Sequence, residues 1–268
     1  MVEDGTYAYS KKHGERKMEK ELVMGHKICK TGIEELDLKL DGGIPIGNAV
    51  LMVGSSGSGK TTLSMQFLAD GAKRGERGVF FTITEPLFKL TKNMEKFDFY
   101  DKKLIESGMV NIIDLRIISD RLGLDTEKYT VEDASALLDV LKDIADELNV
   151  KRLVIDSITA LCYKLQSKEM IRNFIFKLGA SLASMDCTTI LTSEVSPNEV
   201  RYSQYGIEEF IADGIICLGD VDRRGDIIRT LQIIKMRGTA HSRTKDAMSI
   251  SSKNGIELAP LLKSRGRM

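Results

Sequence analysis

The segment GSSGSGKT (54–61) matches G-x-x-x-x-G-K-[ST] at each fixed position. NAVLMVG (48–54) enters it as an unbroken apolar run. KTTLSMQFLADGAKRG (60–75) leaves it with Leu63, Phe67, Leu68 and Ala72 at helical spacing. A glycine turn of chance spacing would not carry both neighbours. An apolar strand that feeds a glycine-rich turn and then a helix must be covered on both faces, which is the pattern of a parallel sheet between helices.

The segment also has a chemistry. Small residues let the backbone N–H groups of Gly57, Gly59 and Lys60 turn inward onto phosphate oxygens, and the helix N-terminus adds partial positive charge. Lys60 is placed to neutralise β- and γ-phosphate charge, and the Thr61 hydroxyl to face Mg²⁺. Gly54, Ser55, Ser56, Ser58 and Thr62 complete the expected cradle. LVIDS (153–157) ends an apolar strand in Asp156, the candidate for ordering the Mg²⁺ water shell. Any strand can end in Asp, so that assignment rests on its pairing with the cradle.

Strand and helix signals alternate along the rest of the chain. VFFTIT (79–84), MVNIIDL (109–115), RLVIDS (152–157) and CTTILTS (187–193) are further strands. Helices are expected over 87–97, 131–148 and 168–185, the second with Leu137, Leu138, Leu141, Ile144 and Leu148 on one face. Residues 116–130 are expected to be loop. Beyond 214 the pattern becomes strand, polar turn at Asp222–Gly225, strand, then two short strands about Asn254–Gly255. The expected fold class is α/β, a mainly parallel sheet with helices on both faces and an antiparallel C-terminal extension.

The 268 residues suit one such domain, over 25–260, between a charged N-terminal arm (1–24) and a basic tail (261–268). The formal net charge is +0, so overall charge lends no support to a nucleic-acid or membrane partner. Cys29, Cys162, Cys187 and Cys217 are widely spaced and read as thiols in a reducing compartment. His13, His26 and His241 form no metal-ligand cluster. No apolar run is long enough for a membrane helix or a signal peptide, and a cytoplasmic protein is expected.

Several segments together resemble the KaiC branch of the RecA-like P-loop ATPases: TGIEELDLKLDGGIPIGN (31–48), the glycine-rich loop, VIDSIT (154–159), TSEV (192–195), QYGIEEFIADGII (204–216) and IKMRGTAHSR (234–243). The chain looks most like single-domain archaeal members. The resemblance implies a RecA-like core that binds ATP with Mg²⁺; the preference for adenine comes from the family alone. It implies that Glu85, in ITEP after the second strand, orients and deprotonates the attacking water. Many KaiC-like proteins carry two glutamates there, and this chain carries Thr84-Glu85. Glu85 could instead cap the helix beginning near Pro86.

KMRGTAHSR resembles the family segment that crosses a subunit interface. The match implies that Lys235 and Arg237 act in trans on a neighbour's γ-phosphate, with Thr239, His241 and Arg243 lining that neighbour's pocket. Lys235 and Arg237 are two apart and share a strand face. From spacing alone, a solvated pair on an edge strand is the simpler reading. A site completed by a neighbour implies a head-to-tail ring, a homo-oligomer of hexameric kind. Ser193 sits where RecA-like folds sense the γ-phosphate, or is a plain satisfied hydroxyl. Glu208-Glu209 occupies the place of a phosphorylated Ser-Thr pair in the clock protein, so autokinase activity there is not expected.

Three functions share this site. One is a ring-forming ATPase. Another is a regulatory or assembly protein that binds ATP with little hydrolysis, a reading that Thr84 favours and that implies an unidentified protein partner. The last is a recombinase-like DNA-binding ATPase of DNA repair, with Arg201, Tyr202 and Tyr205 offered to a strand. DNA is not the favoured partner, because the same loop carries Glu194 and Glu199 and the net charge is zero.

Overall fold

The structure, a computed structural model, describes residues 27–125, 127–196 and 202–261. The arm expected over 1–24, His13, His26, Glu199, Arg201 and all but the first residue of the basic tail lie outside these.

Apolar alternation builds one sheet with two covered faces. Its strands are β3 (Ala49–Gly54), β4 (Gly78–Thr82), β5 (Val110–Asp114), β6 (Arg152–Asp156), β7 (Thr188–Glu194), β8 (Gly214–Arg223), β9 (Asp226–Met236), β10 (Lys245–Ser251) and β11 (Gly255–Pro260). They lie in the order β11-β10-β9-β8-β3-β7-β6-β4-β5. From β5 to β8 the neighbours run parallel, and from β8 to β11 antiparallel. The expected fold class is thus the one observed. A separate two-stranded ribbon, β1 (Ile28–Cys29) with β2 (Ile44–Pro45), flanks it.

The helices between these strands are α1 (Glu34–Lys39), α2 (Lys60–Lys73), α3 (Leu87–Met94), α4 (Lys102–Glu106), α5 (Leu115–Arg121), α6 (Val131–Glu147), α7 (Ile158–Tyr163), α8 (Lys168–Ser184) and α9 (Glu208–Ile211). Leu51 and Val53 of β3 face one core, which α6 and α8 close with Leu137, Leu141, Phe174 and Leu178. Val50 and Met52 face the other, which α1, α2 and α3 close with Leu36, Leu63, Phe67 and Leu90. Strand period two and helix period 3.6 agree on both sides.

One expectation fails. Residues 115–121, placed mostly in a loop, form α5. Its cap is the last residue of the preceding strand: Asp114 accepts from Arg116 N and forms an ion pair with the same residue's guanidinium. Two turns leave too few apolar positions for a periodic signal. The helix expected over 87–97 stops at Met94, after which Phe97 and Phe99 stack at 5.1 Å. The clearest helix, α6, carries a reciprocal Thr130–Asp133 capping box.

Two features of the sheet bear on the site. The β8–β9 hairpin turns through Arg224 and Gly225, both at positive φ, the backbone a two-residue hairpin requires. Near its other end the register slips between Ile215↔Lys235 and Ile216↔Ile233, leaving Ile234 as a β-bulge. Leu231 and Ile233 point to the core under α1 and α2, and so does Met236. Strict alternation from Ile233 would have sent Lys235 there too. The bulge turns Lys235 to the opposite face, where α9 lies.

Candidate functional site

Gly54 ends β3 where a side chain has no room: a Cβ would meet Leu218 O and Ser58 Oγ at 2.6 Å each. Gly57 and Gly59 follow at φ 78° and 103°, and Gly59 caps α2 in left-handed backbone. The loop thus bends over the N-terminus of a 14-residue helix. Lys60 Nζ donates to Gly54 O and Ser55 O, both at 2.9 Å. Burial lowers its pKa from the ordinary 10.5, and the carboxylates of Glu194 and Asp156 oppose that shift. Ser58 Oγ is buried with no partner among the described residues. Thr61 and Thr62 are half-buried in the first turn.

The sheet brings Asp156 to the helix. Thr61 Oγ1 donates to Asp156 Oδ2 at 2.7 Å, and Thr192 Oγ1 donates to Asp156 Oδ1 at 2.6 Å. A hydroxyl and a carboxylate this close suit a small oxygen-seeking cation. Among the described residues no cluster of three His, Cys, Asp or Glu could hold a metal by itself. Mg²⁺ would therefore rely on phosphate and water oxygens for its other ligands, as it does at triphosphate sites.

Glu85 lies three residues beyond Thr82, whose register partner on β6 is Asp156. Its Oε1 accepts from Asn93 Nδ2 at 2.8 Å, and its carbonyl accepts from Thr82 Oγ1 at 2.7 Å. The alternative role as a helix cap is not observed: Pro86 occupies the cap of α3, and no side-chain cap bond forms. Thr84 is exposed. Ser193 is buried, and its Oγ lies 3.1 Å from Thr159 Oγ1, which also accepts from Glu194 N. A cleft of about 860 Å³ opens beside this group, lined by Thr84, Ser157, Thr159, Tyr163 and Glu194.

The residues of KMRGTAHSR are elsewhere. Arg237 N donates to Asp213 O, and Asp213 N donates to Ala49 O, which puts Arg237 level with the start of β3. The phosphate loop leaves the other end of that strand, about 17 Å of extended chain away. The Arg237 guanidinium lies 3.2 Å from Asp213 Oδ1. Lys235 Nζ donates to Ala212 O at 2.6 Å and Glu209 O at 3.3 Å, the carbonyl end of α9. Its pKa is lowered, by burial first and by Arg237 second. Thr239, His241 and Arg243 follow in a loop that docks on α1 through Ser242 N and Lys39 O. Thr239 Oγ1 and both His241 ring nitrogens are buried without partners among the described residues. Lys235 is thus no solvated edge-strand cation.

Thr192, Thr159 and Asn93, which orient the expected acids and sensor, were not singled out by the sequence. Thr192 stood beside Ser193 and was open to inspection. Arg229 was also missed: its Nε lies 3.4 Å from Gly57 O. Only the fold of the hairpin over the loop brings it there, so no local pattern could have marked it.

Known proteins match this arrangement. The model of the KaiC ATPase family covers residues 29–263. A UPF0273 protein of Methanopyrus kandleri is 36% identical over 244 residues, 89% of this chain and 95% of that one. The circadian clock protein KaiC3 of Synechocystis is 33% identical over 237 residues, 88% of this chain but 46% of that longer protein. The crystal structure of a KaiC-like protein from Pyrococcus horikoshii superposes with a TM-score of 0.75 at 36% identity, covering 87% of this chain and 99% of that one. With the glycine-rich cradle, the Thr61–Asp156 pair and the sheet order all in place, the chain belongs to the KaiC ATPase family, as a single nucleotide-binding ATPase domain.

Proposed function

We propose that the chain is a Mg²⁺-dependent ATPase that works as a head-to-tail hexameric ring, with each site completed by the next subunit. One observation carries this reading: Lys235 and Arg237 sit at the opposite end of β3 from the phosphate loop. They are too far from their own cradle to touch its phosphates, whereas a head-to-tail neighbour could receive them.

In this reading Lys60 and the loop amides hold the β- and γ-phosphates. Thr61 and Asp156 would hold Mg²⁺, which would supply neutralisation of phosphate charge. Glu85, its carboxylate steadied by Asn93, accepts a proton from water in line with the γ-phosphate. Lys235 and Arg237 of the next subunit stabilise the charge that develops on the leaving phosphate. Ser193, tied to Thr159, reads the γ-phosphate position. Thr239, His241 and Arg243 line the neighbour's side.

A second reading keeps the binding and drops most of the turnover. It is favoured by Thr84, exposed where many relatives carry a second acid. A role on DNA gains less. Tyr202 and Tyr205 are half-buried against the core, and the Tyr205 hydroxyl donates to Thr159 O at 3.5 Å. Among the described residues no helix is long and apolar enough to cross a membrane.

The test is steady-state ATP hydrolysis with Mg²⁺ across a range of protein concentrations. Specific activity that climbs with concentration, and is abolished in Glu85→Gln and Arg237→Ala while ATP still binds, supports the ring. Wild-type turnover no faster than Glu85→Gln would favour the ATP-controlled assembly protein instead.

A further inference from the structure

Glu208 takes no part in the ATP site, yet its carboxylate is fully buried. It accepts from Gln204 N at 3.0 Å, Tyr205 N at 3.1 Å and Ile207 N at 3.1 Å. Three amides gathered on one carboxylate fix the turn over 204–207 as a rigid lip. The lip faces the first turns of α8 across a cavity of about 570 Å³, within the size range of small-molecule sites. This cavity shares no lining residue with the cleft beside Glu194 or with the phosphate loop.

Its walls carry two kinds of surface. Tyr202, Tyr205, Ile171 and Ile207 line it with side chains that also pack into the core. Both rings are half-buried, so they are fixed walls rather than free stacking groups. Lys168 and Arg172 line it one helical turn apart, both exposed. The Arg172 guanidinium rests 5.6 Å from the Phe176 ring, which limits where it points. The N-terminus of the 17-residue α8 lies at the same end and adds partial positive charge. Gln204 and Glu209 contribute an amide and a carboxylate, groups that meet the N–H and carbonyl edge of a ring rather than a hydrocarbon.

A ligand that satisfies these walls has a flat ring with polar edges joined to an anionic group. Two cations against one carboxylate leave a single net positive charge in the lining, which suits a monophosphate better than a triphosphate. The cavity also reaches the ATP site. The Tyr205 hydroxyl donates to Thr159 O at 3.5 Å, and Thr159 Oγ1 lies 3.1 Å from Ser193 Oγ. At 3.5 Å the first bond is at the limit of its range, so a ring pressed against Tyr205 would shorten it.

We infer that this cavity is a second nucleotide site, for a nucleoside monophosphate. The base lies against Tyr202 and Tyr205 with its polar edge on Gln204 and Glu209, and the phosphate lies between Lys168 and Arg172. Occupancy steadies Thr159 and Ser193 and so tightens ATP binding at the phosphate loop. This coupling rests on the ATPase reading above; the site itself does not.

The test uses the full chain with its phosphate loop filled by Mg²⁺ and a slowly hydrolysed ATP analogue. Calorimetric titration with AMP, GMP, CMP and UMP, and with inorganic phosphate alone, then reads the cavity. A mononucleotide should bind at least about tenfold more tightly than phosphate, because the base adds stacking. Lys168→Ala and Arg172→Ala should each weaken it about ten- to a hundredfold, the range for a charge-assisted bond. Tyr202→Ala should weaken it at least about fivefold. Thermal melting checks folding, and the two exposed cations carry the test if Tyr202→Ala does not fold. The mononucleotide should also tighten binding of a fluorescent ATP analogue at least about fivefold. Tyr205→Phe, which keeps the ring but not the hydroxyl, should bind the mononucleotide and lose this coupling. A chain that binds no mononucleotide, or binds it equally well in Lys168→Ala and Arg172→Ala, would overturn the site. Affinity that climbs with the length of a single-stranded oligonucleotide would also overturn it, replacing a closed cavity with a groove for a strand. A bound mononucleotide that leaves ATP affinity unchanged would overturn the coupling. Failure of the ATPase reading shows separately, as an absence of ATP turnover, and leaves the mononucleotide titration standing.

Discussion

The Thr61 hydroxyl donates to Asp156 Oδ2 across 2.7 Å, although the two residues are 95 positions apart in the chain. Thr192 holds the other carboxylate oxygen. The acid is thus oriented from both sides before any cation arrives. Asp156→Asn keeps an acceptor but loses the charge. The expected outcome is a fall of about 10–100-fold in the Mg²⁺-dependent part of ATP affinity. Affinity in the presence of a chelator should change little. Titration with a fluorescent ATP analogue, with and without Mg²⁺, separates the two.

Glu85 and Asn93 form a second oriented pair. Glu85→Gln should lower kcat by about 10²–10⁴-fold with little change in ATP affinity, the range for loss of a general base. Asn93→Ala should lower kcat by a smaller factor, because the carboxylate survives but is no longer steadied. Single-turnover hydrolysis of pre-bound ATP checks both. Equal losses in the two variants would mean that Asn93 does more than orient.

Stability depends on a buried cation far from the phosphate loop. Arg152 is fully buried: Nε lies 2.6 Å from Glu76, Nη1 donates to Lys30 O and Phe67 O, Nη2 lies 3.4 Å from Asp70, and the guanidinium rests on the Phe67 ring at 4.6 Å. Removing Arg152 leaves Lys30 O and Phe67 O without their donor and the half-buried Asp70 and Glu76 without this counter-ion. Arg152→Ala should cost about 3–5 kcal/mol. Gly71→Ala should also destabilise, because its Cβ would overlap the Arg152 side chain. Denaturant unfolding measures both.

The thiols should be inert in the native protein. Burial pushes Cys29 up to about 11 and raises Cys162, Cys187 and Cys217 above their ordinary 9.0. The thiolate is the reactive form, and raising the pKa depletes it at neutral pH. Alkylation at pH 7.5 should be slow for all four and become complete in denaturant. Rapid labelling of a single native thiol would identify a part of the fold that opens readily.

Acid should loosen α5 only below the ordinary carboxylate range. The Arg116 guanidinium beside Asp114 holds this carboxyl below its ordinary 3.8. A depressed folded value means the contribution is full above about pH 4 and is lost as pH falls through the folded value. Asp114→Asn should remove most of that acid dependence while keeping the cap acceptor, whereas Asp114→Ala should also cost about 0.5–2 kcal/mol as a lost cap. Unfolding midpoints from about pH 2 to 5 check the slope.

Much of this was legible in the sequence for physical reasons. The cradle needs a local run of small residues, and β3 and α2 carry opposite periodicities on either side of it. Asp156 could be named because its strand is apolar up to the acid. What was not legible depends on distant pairing. Thr192 matters only because β7 lies between β3 and β6. Arg229 matters only because the hairpin folds over Gly57. Helix α5 is too short for periodicity, and its cap is also the last residue of a strand.

The bulge at Ile234 has a consequence for anyone who edits this hairpin. Side-chain facing in a strand is a parity, and one unpaired residue inverts it for everything downstream. Flattening β9 so that Ile234 pairs and the strand alternates strictly would preserve each letter of KMRG and still point the lysine into the core under α1 and α2, whereas deleting Ile234 would leave the lysine on its present face. Alignments that score the motif alone would not tell the bulged register from the flat one.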